Sequence, residues 1–429
     1  MRNKLRPSEE RINRINDIFS NQKYEEMEDM IVNIAESYLQ GAIEKEQEAY
    51  LGRGHYSHSD TEAAKENKEG QRIYRNGYYP RSIRTIEGNL NLSVPRTRNG
   101  EENFRSNILE NIVEIAKQKL GERIIETVVR GLSYRDVEEC FKDQQGKPII
   151  GRSMVAEMME EVKTEYEEFC KMDLSTHDVV FMFVDGVYES VKGYTKNQTI
   201  LCCWGICSNG TKLLLGMMAA GSESESSWNV FFEDMKNRGL RQPLLVISDG
   251  NKAIKNAIVK SFPSSMRQRC IAHKLRNLMS KLPMDIQPEI KRELHKIYYA
   301  EDKEDAKARA KSFIVKYGDK YPTMVSCFNE DVDACLTHLM FPEQLRRFIR
   351  TTNLIERSFV EEKRRTKIIP CHQSERGALN LVFAVLIRAS YSWRNIKMDD
   401  GTVVLLRNIK KIIDPNNNDS NFISIERAA

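Results

Sequence analysis

VVFMFVDGVY, residues 179–188, is the stretch on which the reading of this chain turns. An apolar run goes straight into Asp185. Such a run reads as a buried strand, and an acid at its end is expensive to desolvate unless it is paired or holds a metal. A second run, PLLVISDG at 243–250, ends the same way on Asp249. A third acid, Glu356, stands near the start of a basic helical segment, TTNLIERSFVEEKRRTK, at 351–367. Two strand-end aspartates and a helical glutamate make an all-oxygen pocket suited to Mg²⁺. Two ions in one pocket can activate a water or 3′-hydroxyl and stabilise the leaving oxygen in phosphodiester chemistry. These residues point to a metal-dependent enzyme acting on DNA. Asp185, Asp249 and Glu356 are its expected catalytic and metal-binding acids, with two Mg²⁺ or Mn²⁺ ions per site.

Working outward from Asp185, the runs TILCCWGICSNG and KLLLGMMAAG follow as two more strands, joined at Ser208–Gly210. SESSWNVFFEDMKNRG then places Trp228, Phe231, Phe232 and Met235 on one helical stripe. The strand PLLVIS and a helix beginning NKAIKNAIVKSF come next. Three strands, a helix, a strand and a helix are the order of a ribonuclease H-like core. In that order the first and fourth strands are neighbours, which brings Asp185 and Asp249 together. Each acid also has a plainer reading. Asp185-Gly186 could form a two-residue hairpin turn. Asp249 could N-cap the next helix. Glu356 could sit at N3 behind Asn353 in a capping box.

Helical geometry puts Lys363 and Lys367 on nearly the same face as Glu356. Lysines lined up with a metal-binding acid would hold phosphates, and Arg357, Arg364 and Arg365 widen the basic surface. Pro370 is expected to stop that helix. Cys270 and His273 form a CxxH in RQRCIAHKLRN. As a zinc site this is short of ligands, since structural zinc takes four. Cys371-His372 could complete a set, but the spacing does not demand it, and a hydrogen-bonded Cys/His pair beside the active site is the better expectation. Residues 282–345, rich in helix formers, read as an all-helical insertion between the second and third acids.

The N-terminal third carries other signals. In residues 24–51, Met27, Met30, Ile31, Ile34, Tyr38 and Leu39 recur at helical spacing. They predict an amphipathic helix that packs on another element or on a second subunit. Residues 53–80 read as a loop or extended arm. RSIRTIEGNLNLSVPRTR then reads as a hairpin, with Ile83 and Ile86 in one strand, Leu90, Leu92 and Val94 in the next, and Gly88-Asn89 as the turn. Arg81, Arg84, Arg96 and Arg98 on it could track a DNA backbone. Further on, one helix breaks at Gly131, a second is capped by Ser133, and a third starts at Ser153. The arrangement resembles a helix-turn-helix reader. That third helix is acidic beyond Met154, so Arg152 and Ser153 are its contact candidates.

Composition sets the frame. The chain of 429 residues has room for two to four domains. Its net charge of +4 does not by itself indicate a nucleic-acid partner. The distribution says more. Residues 266–281 carry five Lys/Arg, including Arg269, Lys274 and Arg276, and no acid. Residues 344–369 carry eight Lys/Arg against three Glu, and residues 71–105 seven Arg against three Glu. Patches of this kind neutralise phosphates. The nine cysteines are scattered without a repeated CxxC, which suits a reducing compartment. No run reaches the roughly 18 apolar residues of a membrane span, and MRNKLRPSEE lacks a signal-peptide core. A cytoplasmic, nucleoid-associated location without a membrane partner is expected.

DGVY around Asp185, VISDGNKAIKNAI around Asp249, RQRCIAHKLRNL and TTNLIERSFVEEKRRTK together resemble the signatures of bacterial insertion-sequence transposases of the Mutator type. RNGYYPRSIRTIEGNLNLSVPRTR is similar to that family's N-terminal stretch. The resemblance covers roughly residues 70–395. It implies a DDE transposase with Asp185, Asp249 and Glu356 as the triad, and it places Cys270 and His273 in the family's C-x2-H signature. It also implies binding to terminal inverted repeats and a copy-out, paste-in route through a circular intermediate. The expected DNA partners are double-stranded terminal repeats and target DNA, handled by a homodimer or larger synaptic assembly. Other candidate contacts are Arg269, His273, Lys274, Arg276, Lys363, Arg364 and Lys367. Cys371-His372 departs from the more apolar or aromatic pair that the resemblance implies. A ribonuclease H-like nuclease or resolvase, and a domesticated DNA-binding protein, are the alternatives. The expected fold class is α/β, a ribonuclease H-like core with an all-helical insertion behind a mostly helical DNA-binding region. Its segments are an N-terminal helix, arm and hairpin for dimerisation or DNA binding at 1–106, a helix-turn-helix-like DNA-binding domain at 107–175, the core at 176–281 and 346–412 around the insertion at 282–345, and a polar tail at 413–429.

Overall fold

The computed structural model describes residues 6–20, 27–55, 66, 70–100, 104–142, 146–194, 198–367, 372 and 374–413. The chain divides into two compact units, Met1–Glu161 and Val162–Ala429. Nearly all of the polar tail at 413–429 lies outside the described residues.

In the first unit, helices α1 (Pro7–Ser20) and α2 (Met27–Leu51) precede a hairpin of β1 (Tyr74–Thr85) and β2 (Gly88–Arg98). Helices α3 (Asn107–Val129), α4 (Tyr134–Cys140) and α5 (Arg152–Phe169) follow, and the boundary between units falls inside α5. The hairpin starts earlier than its sequence suggests, in a stretch that reads as an arm. Its turn is Ile86-Glu87, because Thr85 pairs with Gly88. Gly88 is a strand residue at φ 139°, so its glycine character serves the step out of the turn. Leu90, Leu92 and Val94 point inward and join Ile43, Ile83 and Leu109 in the core.

Helix α2 packs differently from its apolar spacing. Leu39 packs on that core, but Ile31, Ile34 and Tyr38 are exposed at 62%, 43% and 78%. The buried face sets polar Glu36, Gln40, Glu44 and Gln47 beside Ile43 and Leu51. Gln40 donates to Ser93 O at 2.7 Å and accepts from Ser93 N at 2.9 Å, as a neighbouring strand would. Gln47 donates to Arg96 O at 2.9 Å. The helix thereby satisfies the open edge of β2, whose backbone groups would otherwise be unpaired. Beyond Gly131 (φ 102°), Ser133 and Asp136 form a capping box on α4. Helix α5 begins at Arg152, so Ser153 lies in its first turn.

The second unit is built on a five-stranded mixed sheet. Strands β3 (Val179–Glu189), β4 (Gln198–Cys207) and β5 (Lys212–Ala220) form an antiparallel meander. After α6 (Glu225–Asn237), β6 (Leu245–Ser248) pairs parallel with β3. After α7 (Lys252–Ser261), β7 (Met266–Arg269) pairs parallel with β6. The order is β5-β4-β3-β6-β7. Every residue of β4 is buried, as expected of a strand covered on both faces. The stripe Trp228, Phe231, Phe232 and Met235 of α6 packs on one side of the sheet. Strand β7 has no apolar alternation. Its Gln268 is fully buried and bonds instead to Cys335 O and His338 N.

Helices α8 (Ile271–Met279), α9 (Gln287–Tyr298), α10 (Lys303–Tyr317), α11 (Pro322–Glu330), α12 (Val332–Cys335) and α13 (Glu343–Ile349) come next. Helices α8 to α12 share a separate core that includes Leu278, Leu294, Phe313 and Phe328. Helix α14 (Asn353–Thr366) then returns to the sheet, followed by α15 (Glu375–Ser390) and α16 (Asp400–Ile413). Helix α14 ends at Thr366, and Pro370 lies outside the described residues.

Candidate active site

The parallel pairing of β3 and β6 ends at Val184 with Ser248. The next residue after each is an acid, so Asp185 within β3 and Asp249 just past β6 stand at the same level. Asp185 does not end its strand. It pairs with Cys202 while β3 runs on to Glu189, which rules out a hairpin turn there. Asp249 does not cap α7. Asn251 does so, accepting from Ala253 N at 3.0 Å, while Asp249 Oδ1 accepts from Asn251 N at 3.1 Å. Glu356 lies one position beyond a capping-box residue, because Thr352 is the N-cap. The Thr352 hydroxyl donates to Glu356 Oε1 at 2.9 Å.

Burial dominates the electrostatics. It pushes the Asp185 carboxyl up to about 7, and the charges of Asp249 and Glu223 push the same way. His273 and the Gly186 N–H pull it down without prevailing. Glu223 is raised too, first by burial and then by Asp249. Crowded buried carboxyls disfavour their own charge, and a divalent cation reverses that. The donor set is all oxygen, which fits Mg²⁺ or Mn²⁺.

Glu223 escaped the sequence reading because it sits in a serine-rich loop before α6, with no strand or motif to mark it. It accepts from Tyr188 Oη at 2.9 Å and from Asn251 Nδ2 at 3.4 Å. It also lies over Gly186, where an added Cβ would come within 2.5 Å of Glu223 Oε1.

Cys270, His273 and Glu356 bring their ligand atoms within 4.8 Å of one another. Among the described residues no fourth ligand joins them. His372 is elsewhere, its Nε2 3.1 Å from Glu189 Oε2, and Cys371 lies outside the described residues. Cys270 Sγ already accepts from Thr352 N at 3.3 Å. Burial pushes its thiol up, but hydrogen bonds from His273 and Thr352 outweigh this and lower it. His273 is raised chiefly by that bond to Cys270, with Asp185 and Glu356 adding to it. Its Nδ1 lies 3.6 Å from Glu356 Oε1. The CxxH therefore ties the start of α8 to the acid-bearing turn of α14.

The basic residues of the sequence separate into two groups. Arg276 is exposed, 3.3 Å from Glu356 Oε2. Lys363, Arg364 and Lys367 are also exposed, with Arg364 paired to Glu361. Arg269 and Lys274, expected on a DNA-facing surface, are instead buried in ion pairs with Asp331. An apolar surround makes an unpaired cation too costly there. In the first unit, Arg81 and Arg84 line a cleft of about 460 Å³ with Lys117 and Lys147. Arg96 lies over the Tyr79 ring and Arg98 over Tyr74. Arg152 is held by Glu138 at 2.9 Å, and Ser153 is exposed.

Residues 8–396 match the family model described as Transposase, Mutator family. This chain belongs to the Mutator family of transposases. The match spans both compact units and includes every acid discussed above. Among its relatives, the transposase for insertion sequence element ISRM5 of Rhizobium meliloti (strain 1021) is 29% identical over 391 residues, covering 90% of this chain and 93% of its own. The transposase for insertion sequence element IS256 in transposon Tn4001 of Staphylococcus aureus is 29% identical over 375 residues, covering 86% and 93%. That for IS905 of Lactococcus lactis subsp. lactis (strain IL1403) is 31% identical over 297 residues, covering 68% and 74%. Among the described residues of this Mutator-family chain, no helix is long and apolar enough to cross a membrane.

Proposed function

We propose that this transposase cuts and joins DNA through a DDE triad of Asp185, Asp249 and Glu356 on a ribonuclease H-like core. The observation that carries the reading is the shared level of the two aspartates where the β3–β6 pairing ends. The sheet order β5-β4-β3-β6-β7, with helices inserted before α14, supports the core assignment.

Two bound Mg²⁺ or Mn²⁺ ions would activate the nucleophile and stabilise the leaving oxygen. The three carboxylates would hold them, and Thr352 and His273 would orient Glu356. Water opens the element end and leaves a 3′-hydroxyl, which then attacks a target phosphodiester in line. Lys363 and Lys367 hold the phosphates of the cut strand along α14. In the first unit, Arg81 and Arg84 bind the terminal inverted repeats, supported by their basic cleft. The route is copy-out, paste-in through a circular intermediate. Two ends require at least a homodimer, and the exposed stripe of Ile31, Ile34 and Tyr38 supplies an apolar face for it.

The test uses a labelled element-end duplex with Mg²⁺, comparing wild type with Asp249→Asn and Glu356→Gln. Both variants are expected to bind DNA and to lose cutting and joining by about a thousandfold or more, the scale of losing a charge-stabilising group in the transition state. Normal cutting by either variant would remove that residue from the triad. Cutting without joining by the wild type would make the protein a nuclease.

A further inference from the structure

We propose that a basic cleft beside the first turn of α14 holds an unpaired stretch of the DNA strand that is cut or joined. The proposal rests on the reading of Glu356 as a catalytic acid and adds a second DNA site to it. The cleft is about 1120 Å³, beyond the roughly 300–1,000 Å³ of small-molecule pockets. Five cations line it: Lys212, Arg347, Arg357, Arg394 and Lys397. Among the described residues none of the five forms an ion pair with a carboxylate. The single acid of the lining, Asp399, accepts from Thr402 N at 2.7 Å and feels Lys397 only at longer range. Lys212 is held below its ordinary value by burial and by Arg357, so this side of the cleft carries uncompensated positive charge. Such charge is stable once phosphates neutralise it.

An aromatic wall distinguishes unpaired DNA from a duplex. Trp393 lines the cleft and is backed by the fully buried Trp204, with ring centroids 4.6 Å apart. A second aromatic, Phe348, lies under the Arg347 guanidinium at 4.6 Å. Cations interleaved with ring faces are how proteins hold single strands, because an unpaired base can stack where a paired one cannot. The cleft shares the first turns of α14 with the proposed catalytic acid: Asn353, Leu354 and Arg357 line it, and Glu356 stands between Leu354 and Arg357 on the neighbouring face of the same helix.

The test is a binding titration in EDTA, with a labelled oligothymidylate and a labelled duplex of equal length. Arg394→Ala/Lys397→Ala removes two exposed cations of the loop after α15, and circular dichroism checks its fold. Single-strand affinity is expected to fall about tenfold or more, with the salt slope reduced by about one to two. Duplex affinity should stay within twofold. Trp393→Phe, which keeps a stacking ring, should retain most of the single-strand affinity that Trp393→Ala loses. Unchanged single-strand affinity would overturn the assignment, as would equal losses on both DNAs. The binding assay needs neither metal nor cutting, so a failed triad shows only in the cutting assay and a failed cleft only here.

Discussion

The guanidinium of Arg269 fills the space that a side chain at position 250 would need. A Cβ built on Gly250 falls 0.5 Å from Arg269 Nη1. Gly250 therefore serves close approach, since its φ is not in the left-handed region. Arg269 is in turn fixed by Asp331, 3.0 Å away. The helical insertion thus presses on the residue next to Asp249 through one buried arginine.

Gly250→Ala must displace either Arg269 or the Asp249 loop. Moving Arg269 breaks a buried ion pair, which costs about 3–5 kcal/mol. The expected outcome is a large loss of stability to urea together with loss of DNA cutting. In an Arg269→Ala background the same substitution should cost much less, because its clash is gone. A double-mutant cycle measures that coupling. Additive effects within about 0.5 kcal/mol would refute the contact.

Glu223 should support the proposed triad without belonging to it. It shares Asn251 with Asp249, and its charge raises Asp185. Glu223→Gln keeps the shape and removes that charge. Groups that support metal ligands typically contribute 10–100-fold in metal affinity or activity. The Mg²⁺ concentration for half-maximal cutting should rise by about tenfold, with near-normal rates at saturating Mg²⁺. A loss as deep as that of Asp249→Asn, unrelieved by Mg²⁺, would promote Glu223 into the catalytic set.

A buried pair of acids links α14 to β3 away from the proposed metal site. Thr366 Oγ1 donates to Glu362 Oε1 at 2.8 Å and lies 3.3 Å from Glu189 Oε1, and His372 Nε2 is 3.1 Å from Glu189 Oε2. Burial pushes Glu362 up to about 9, assisted by Glu189 and opposed by Thr366 and Lys363. Burial also acts on Glu189, but hydrogen bonds from His372 and Glu362 prevail and lower it. Glu362 is thus neutral when folded and ionised when unfolded between its ordinary value of 4.5 and about 9. Its contribution to stability is complete below 4.5 and is lost as pH rises through 9. Glu189 acts in the opposite sense and only in acid. Glu362→Gln keeps a donor for Glu189 and removes the titration. Thermal unfolding at pH 8.5 should come about 5 °C higher in the variant than in wild type, with little difference at pH 5. Equal curves at both pH values would mean that Glu362 is ionised in the fold.

The sheet and the level of the two aspartates are legible in the sequence because each strand before them is a strong apolar run. Strand β7 is not, since MRQR has no apolar period and its burial is imposed by the insertion laid over Gln268. The hairpin is legible from Leu90, Leu92 and Val94, but its turn is not. Ile86-Glu87 carries no turn chemistry, and Gly88 diverts attention to itself. Helix α2 is legible as a helix, while its inward face is not. Gln40 and Gln47 look like surface until their amides meet the edge of β2. Glu223 is hidden for another reason. Loop acids acquire meaning only when the fold crowds them against other carboxyls.

The same limit governs the cations, and it separates Lys274 from Lys363 and Lys367. Lys274 is 1% exposed, with its ammonium between Asp331 and Cys327 O. Lys274→Ala leaves Asp331 short of one partner and opens a void. It should lower stability by about 3 kcal/mol or more while leaving the salt dependence of DNA binding unchanged in the folded fraction. Lys363→Ala/Lys367→Ala touches two exposed ammoniums. It should leave the unfolding midpoint within about 0.5 kcal/mol of wild type. DNA affinity should fall, with the slope of log K against log salt reduced by roughly one for each lysine. Paired titrations at several salt concentrations, beside urea unfolding of the same proteins, read both quantities. A salt slope altered by Lys274→Ala, or unaltered by the double substitution, would reverse the assignment of structural and DNA-contacting lysines.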